Sequence, residues 1–377
     1  MPVEIHGHCD EKFASVKDAF AKNFNDGLDI GASVAVTLDG ESVVDLWAGK
    51  LVDAGEDQWV EDTIVNVWST TKTMAAIVML MLADRELLDF DAPVARYWPE
   101  FASNGKEHVL VRHIMSHSAG LSSLEDPIVF LDYCDHDRIV GLLADQAPWW
   151  EPGTQSGYHA ITQGHLQNEL VRRITGITLG RFFREEVAEP LGADFHIGTP
   201  ASFDSRIGFL SPPEPDINTD VDPKSIMGRT MLNPPLDALA PRTAAWREAE
   251  IPAANGHGNA RSVARIHSAI ACGGEVGSVR LMSEAGCRKI FDVQTDGEDL
   301  VLGMPVRYGM GFGINSQHQP LSPNPNVCYW GGWGGSLGVI DMDARLNFAY
   351  VMNRMVSGTT GDLRAANLLL PVYSSLG

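Results

Sequence analysis

Trp68-Ser69-Thr70-Thr71-Lys72 stands at the head of an apolar run, Met74 to Ala83, and the reading of this stretch decides the fold. The run is ten residues long, where a membrane-spanning helix needs about 20. It is therefore a helix of a protein core. Ser69 and Lys72 are three residues apart, so they share one helix face, one turn from each other. Ser69 falls at the helix N-terminus, where unpaired N–H groups and the helix dipole favour negative charge. A serine hydroxyl is a weak nucleophile until a neighbouring base takes its proton, and a lysine whose pKa is lowered by burial can be that base. The same serine would serve equally well as a plain N-cap. The tetrad alone does not choose, because 24 serines and eight lysines give about half a Ser-x-x-Lys match by chance. A second match, Ser103-Asn104-Gly105-Lys106, lies in a polar stretch between Pro99 and His108 and opens no apolar helix. We read it as a chance match.

Upstream, Phe13, Val16, Phe20 and Phe24 recur at helical spacing with Lys12, Lys17 and Lys22 on the solvated face, and this helix ends near Gly27. Ala32 to Leu38 and Ser42 to Trp47, split by Asp39-Gly40, spell a hairpin whose turn suits positive φ. The last third of the chain mirrors this. Tyr308 to Ile314, Ser336 to Asp341 and Leu346 to Val351 read as strands, and Asp362 to Leu370 as a helix stopped by Pro371. Strands at both ends imply one antiparallel sheet built from both chain ends and flanked by terminal helices. Between them, 72–86, 136–145 and 159–175 carry the helical period. The expected fold class is α+β. A discontinuous sheet domain would span 1–68 and 255–377, with a mostly helical domain inserted over 69–254. Residues 211–252 hold eight of the 21 prolines and no clear period, so this irregular excursion either walls a substrate cleft or is a surface loop.

Two further segments carry chemistry. Pro152-Gly153-Thr154-Gln155-Ser156-Gly157-Tyr158-His159-Ala160 is a Gly/Ser turn leading into a helix expected to begin near Tyr158. Tyr329-Trp330-Gly331-Gly332-Trp333-Gly334-Gly335-Ser336 is a glycine-dense run leading into a C-terminal strand. Ser69-x-x-Lys72, then Tyr158, then Trp330-Gly331-Gly332 resemble the serine β-lactamase and penicillin-binding protein superfamily. Within it the chain is most similar to the family VIII carboxylesterases, which resemble class C β-lactamases. Two segments support the likeness, residues 111–121 around His113-Ile114-Met115-Ser116-His117 and residues 255–262 around Gly256-His257-Gly258. The resemblance runs from about residue 8 to 370 and is poorest over 211–252.

What the resemblance implies is specific. Ser69 is the acylated nucleophile, and Lys72 and Tyr158 together manage its proton and later activate the deacylating water. The backbone N–H groups of Ser69 and Trp333 form the oxyanion hole. Gly331, Gly332, Gly334 and Gly335 allow the backbone to come close there. Trp330, Gly331, Gly332 and His159 line the substrate site, although His159 by itself reads more readily as a satisfied structural imidazole. No metal and no cofactor are called for. The departures from the β-lactamase pattern bear on substrate. Ala160 stands where those enzymes carry an asparagine, and Trp330 where they carry a lysine. The first removes a side-chain amide, and the second removes the cation that pairs with a lactam carboxylate. Both shift preference toward neutral short-chain acyl esters as the small-molecule substrate. The alternatives are an amide-bond hydrolase of the β-lactamase or D-aminopeptidase type and a non-catalytic scaffold of the same fold.

Other features read as bland. Gly334-Gly335-Ser336-Leu337-Gly338 fits the G-x-S-x-G elbow of α/β-hydrolases, but that fold needs a histidine after the serine, and the last one here is His318. His113 and His117 have metal-ligand spacing but lack the glutamate of zinc proteases, and the segment reads as a structural turn. His6 and His8 are terminal and solvated, Trp68 is core beneath Ser69, and Trp149 and Trp150 are cleft wall or core. The formal charge is −21, from 28 basic and 49 acidic residues, which disfavours nucleic acid and anionic membrane as partners. The N-terminal stretch is acidic where an export signal needs basic residues. Cys9, Cys134, Cys272, Cys287 and Cys328 are odd in number and scattered, which suits free thiols in a reducing compartment. The expectation is a cytoplasmic protein.

Overall fold

The structure, a computed structural model, describes residues 3–214, 221–358 and 361–377. The chain opens with strand β1 (His6–Cys9), helix α1 (Ala14–Asn25) and the hairpin strands β2 (Gly31–Leu38) and β3 (Glu41–Gly49). Asp39 and Gly40 turn this hairpin at φ 50° and 84°. Helices α2 (Thr71–Asp84), α3 (His136–Asp145), α4 (Thr162–Thr175), α5 (Ile226–Leu232), α6 (Ala244–Glu248) and α7 (Ala260–Ala271) follow, joined by longer connections that carry shorter helical segments such as Val111–Met115 and Leu179–Phe183. Strands β4 (Thr295–Glu298), β5 (Pro305–Tyr308), β6 (Gly313–Ile314), β7 (Val327–Gly331), β8 (Leu337–Asp341) and β9 (Leu346–Met352) and helix α8 (Leu363–Leu376) complete the chain.

One sheet runs β1-β3-β2-β9-β8-β7-β6-β5-β4, antiparallel throughout. The expected joint between the chain ends is the β2–β9 pairing, in register from Leu346↔Leu38 to Met352↔Ala32. Nearly every residue of both strands is buried, so helices cover both sheet faces. On one face Ser33 accepts the Ala260 N–H and Asn347 donates to Ala264 O, which seats α7. On the other, Tyr350 donates to Asp29 at 2.6 Å, beneath α8. Helix α2 is buried from Thr71 to Leu82, as a helix apolar on all sides must be. Among the described residues no helix is long and apolar enough to cross a membrane.

Several boundaries differ from the sequence reading. Tyr308–Ile314 is not one strand. Gly309 and Gly311 break it, with the Gly309 N–H bonded to Phe312 O at 2.9 Å and Gly311 at φ 86°. Helix α8 does not stop at Pro371 but runs through it to Leu376. Buried Val372 and the bond from Tyr373 to Asp341 at 2.9 Å hold its last turns despite the missing N–H. Helix α4 begins at Thr162, not near Tyr158. The excursion over 211–252 contains α5 and α6, and its residues 215–220 lie outside the described residues.

A buried ion cluster ties α8 to the sheet. Arg364, 3% exposed, bonds Asp29 at 3.1 Å, Arg354 O at 2.8 Å and Gly334 O at 2.7 Å. Removing one partner of a buried pair strands the other charge. Arg364→Ala is expected to cost about 3–5 kcal/mol, read as a lower midpoint in urea unfolding.

Candidate active site

The chain reaches Ser69 through a strained residue. Trp68 sits at φ 46°, a left-handed conformation that costs a bulky side chain about 1–3 kcal/mol. Packing holds it there. The buried indole lies 5.0 Å from Trp333, 5.5 Å from Trp246 and 6.4 Å from Phe130, ring centre to ring centre. Thr71 donates to Trp68 O at 2.5 Å and accepts the Gly256 N–H at 2.9 Å. Ser336 donates to Val67 O at 2.9 Å, so Thr70 must donate to Ser336 Oγ, 2.9 Å away. Ser336 is thus a buried brace beneath Ser69 and not the serine of a nucleophile elbow.

Ser69 Oγ lies between two side chains brought from α2 and from the turn before α4. Tyr158 Oη donates to it at 2.6 Å, and Lys72 Nζ stands at 3.1 Å. Lys72 also donates to Ala160 O at 2.6 Å and Ala253 O at 2.9 Å. An ammonium has three donors, and all three are taken. Burial pulls Lys72 well below the usual lysine range. In the neutral amine, two hydrogens stay on the two carbonyls and the lone pair faces Ser69. Tyr158 is pushed far the other way, chiefly by burial, against its bond to Ser69 and the nearby Trp330 indole. The arrangement can therefore take a proton from Ser69 at Lys72 and supply one from a neutral phenol.

The third motif forms the turn from β7 to β8. An added Cβ at Gly332 would collide with Val67 O and Ser336 Oγ, so only glycine lets this turn lie against the approach to Ser69. The N–H groups of Gly332, Gly334 and Gly335 are bonded to Ser336 O, Gly358 O and Gly332 O. Among the described residues the Trp333 N–H has no such acceptor, as a donor kept for a developing oxyanion requires.

Two expected lining residues are placed differently. His159 is fully buried. Its Nδ1–H donates to Gly157 O at 2.6 Å and its Nε2 accepts the Leu121 N–H at 3.1 Å. Burial holds the ring neutral, pushed down to about 3. It is a structural imidazole that braces the Tyr158 turn. Trp330 is 4% exposed and lies behind Tyr158, 5.6 Å from its ring and stacked 5.6 Å from His117. His117 Nδ1 accepts the His159 N–H at 3.0 Å, and His113 Nδ1 accepts the Leu110 N–H, so the two imidazoles serve separate main-chain groups. The second Ser-x-x-Lys is likewise structural, since Lys106 donates to the carbonyls of Ser103, Ala144 and Gln146 at the end of α3. The two carbonyls that seat Lys72 were not foreseen, because main-chain oxygens leave no mark in residue identity.

A sequence profile described as Beta-lactamase matches residues 20–372. The chain belongs to the β-lactamase family. This family member is 37% identical over 370 residues to Esterase/beta-lactamase LipL of Mycobacterium tuberculosis, covering 94% of this chain and 84% of that protein. Its fold superposes on a crystal structure of a family VIII carboxylesterase with a TM-score of 0.93 at 41% identity, over 99% of this chain and 100% of that one. A penicillin-binding protein homologue from Caulobacter crescentus gives a TM-score of 0.93 at 36% identity, over 99% and 100%. The β-lactamase-family member described here is a serine hydrolase.

The glycine turn gives a direct test. Gly332→Ala is expected to slow labelling of Ser69 by a fluorophosphonate about 10–100-fold, since displacements near 1 Å cost that much. The circular dichroism spectrum should stay that of the wild type.

Proposed function

We propose that this protein is a serine carboxylesterase that hydrolyses neutral short-chain acyl esters through an acyl-enzyme on Ser69. The observation that carries this reading is the placement of Ser69 Oγ between Tyr158 Oη at 2.6 Å and Lys72 Nζ at 3.1 Å. Neutral Lys72 takes the Ser69 proton as Oγ attacks the ester carbonyl carbon. The carbonyl electron pair moves to oxygen, where the N–H groups of Ser69 and Trp333 meet the charge. On collapse the alkoxide leaves with the proton of Tyr158, and Lys72 reprotonates the phenolate. Water then attacks the acyl-serine and loses a proton to the same pair. The acid is released and Ser69 regains its hydrogen.

The preference for a neutral ester rests on two residues. Ala160 offers only its main-chain carbonyl, already taken by Lys72. Trp330 stands in the sequence where β-lactamases of the resembling class carry a lysine, and its ring is packed behind Tyr158, so no side-chain cation from this position is offered to a substrate carboxylate. The relatives' names, Esterase/beta-lactamase and family VIII carboxylesterase, agree with ester hydrolysis without choosing between ester and lactam. Steady-state assays on p-nitrophenyl butyrate and a cephalosporin test it. The ester is expected to have the higher kcat/KM, and Ser69→Ala to lower ester turnover by at least ~10⁴-fold. Equal or better turnover of the cephalosporin favours the amide-bond reading instead.

The pH dependence follows from Lys72. The reactive form is the neutral amine, and burial lowers the pKa at which it appears. On the acid side kcat/KM should therefore fall as pH drops and Lys72 takes up its proton, then level off above that pKa. The acid limb should reach its plateau below the pH at which an ordinary lysine loses its proton, as read from kcat/KM for the butyrate ester against pH. A limb centred at an ordinary lysine pKa would contradict the assignment.

A further inference from the structure

Asp299 lies outside every motif that carries the family likeness, yet its carboxylate is fully buried. A buried charge must be hydrogen-bonded or paired. Oδ1 accepts three main-chain N–H groups, those of Tyr158, Val301 and Leu302, each at 2.9 Å. Two of these belong to the turn that Asp299 itself begins. This turn is closed by the Asp299 N–H on Met304 O at 3.0 Å and the Gly303 N–H on Asp299 O at 2.9 Å. The third belongs to the residue whose hydroxyl meets Ser69. A second bond, from the Leu300 N–H to Ser156 O at 2.9 Å, docks the turn on the same segment. The other oxygen, Oδ2, lies beside the Tyr308 hydroxyl and, among the described residues, meets no main-chain N–H.

The Tyr158 ring is held in its plane by neighbours. His117 lies 5.0 Å away, Trp330 5.6 Å, and Lys72 Nζ is 4.8 Å from the ring centre. These contacts fix how the ring stands, and the Asp299 bond fixes the main chain that carries it. The hydroxyl is at the far end of a rigid ring, so a small main-chain shift is magnified at Oη. We propose that Asp299 is the positioning residue of Tyr158, holding its main chain so that the phenol reaches Ser69 at hydrogen-bond distance. The negative charge is not what this role requires. An amide oxygen in the place of Oδ1 accepts the same N–H groups, with its NH2 beside the Tyr308 hydroxyl.

The inference rests on Ser69 being the nucleophile, and the experiment separates the two. Fluorophosphonate labelling rates and ester kinetics are measured, per titrated active site, on wild type, Asp299→Ala and Asp299→Asn, and again with Tyr158→Phe. Asp299→Ala is expected to lose about 10–100-fold in labelling rate and kcat, with KM changed by less than about threefold. Asp299→Asn should stay within about threefold of wild type. In the Tyr158→Phe background Asp299→Ala should change the labelling rate by less than about twofold, because residues acting through one another are not additive. Should the alanine variant not fold, Asp299→Glu, which keeps the charge and moves the acceptor by one methylene, is expected to show the same loss. A wild type that does not label at Ser69 overturns both the proposed function and this inference. A labelled wild type with an Asp299→Ala variant of equal rate, or with the same loss when Tyr158 is already phenylalanine, overturns the inference alone.

Discussion

The site depends on a lysine buried without a carboxylate. Lys72 is 2% exposed, and its nitrogen meets Ala160 O, Ala253 O and Ser69 Oγ. Burial alone lowers its pKa. An acidic partner would undo this by stabilising the ammonium, leaving a structural cation that could not accept a proton near neutrality. The two carbonyls are a compromise. They take two of the hydrogens in either protonation state and fix the nitrogen in place, but they do not hold the charge as a carboxylate would. The requirement reaches far along the chain, because residue 160 comes from the centre of the helical middle and residue 253 from its end. Both must lie over the first turn of α2 for the lysine to be seated at all.

A second dependence runs from the sheet to the oxyanion turn. Arg364 pairs with Asp29 beneath β9 and donates to Gly334 O in the turn that carries Trp333. Gly335 has φ 125°, and a side chain there would strike Asp362 and Arg364. Gly332 rests on Val67 O on the opposite side of the turn. The turn is thus clamped between the terminal helix and the approach to Ser69. The chain-end pairing that makes the sheet also sets the position of the Trp333 N–H, so fold stability and site geometry share one set of contacts.

What could be read from residues alone was local and side-chain based. The β2–β3 hairpin was legible because Asp39-Gly40 needs positive φ and its flanks are apolar. Helix α2 was legible because its apolar run has one length that fits. Ser69, Lys72 and Tyr158 were legible as a spaced set of reactive side chains, and the structure brings them together. Strand β7 reads only as a glycine-rich approach, because Val327–Gly331 is short and runs directly into the glycines of the turn that follows. Helix α4 starts later than the sequence suggests because the His159 N–H is bonded to His117 and the Ala160 carbonyl to Lys72, not within a helical turn. Trp330 and His159 were placed on the substrate side because sequence adjacency to a reactive residue says nothing of direction. Asp299 was invisible for a different reason: one acid among 49 acidic residues carries no signal until its three N–H partners are seen.

The charge of −21 takes its meaning from where charge is missing. The surface field is screened beyond about 8–10 Å in physiological salt, so it discourages anions weakly and only at a distance. Close to Ser69 the decisive quantity is local. Lys72 is the amine placed there; burial favours its neutral form, and its nitrogen is already committed to Ala160, Ala253 and Ser69. Trp330, Tyr158, Tyr308, Val301 and Val306 form a buried apolar cluster on the adjoining side. On the proposed reading an anionic substrate would leave water for a site whose neighbouring amine is already committed, whereas a neutral ester loses little on the same transfer. Overall acidity and local apolarity thus act in the same direction at different ranges, and the local effect is the larger because no salt screens it.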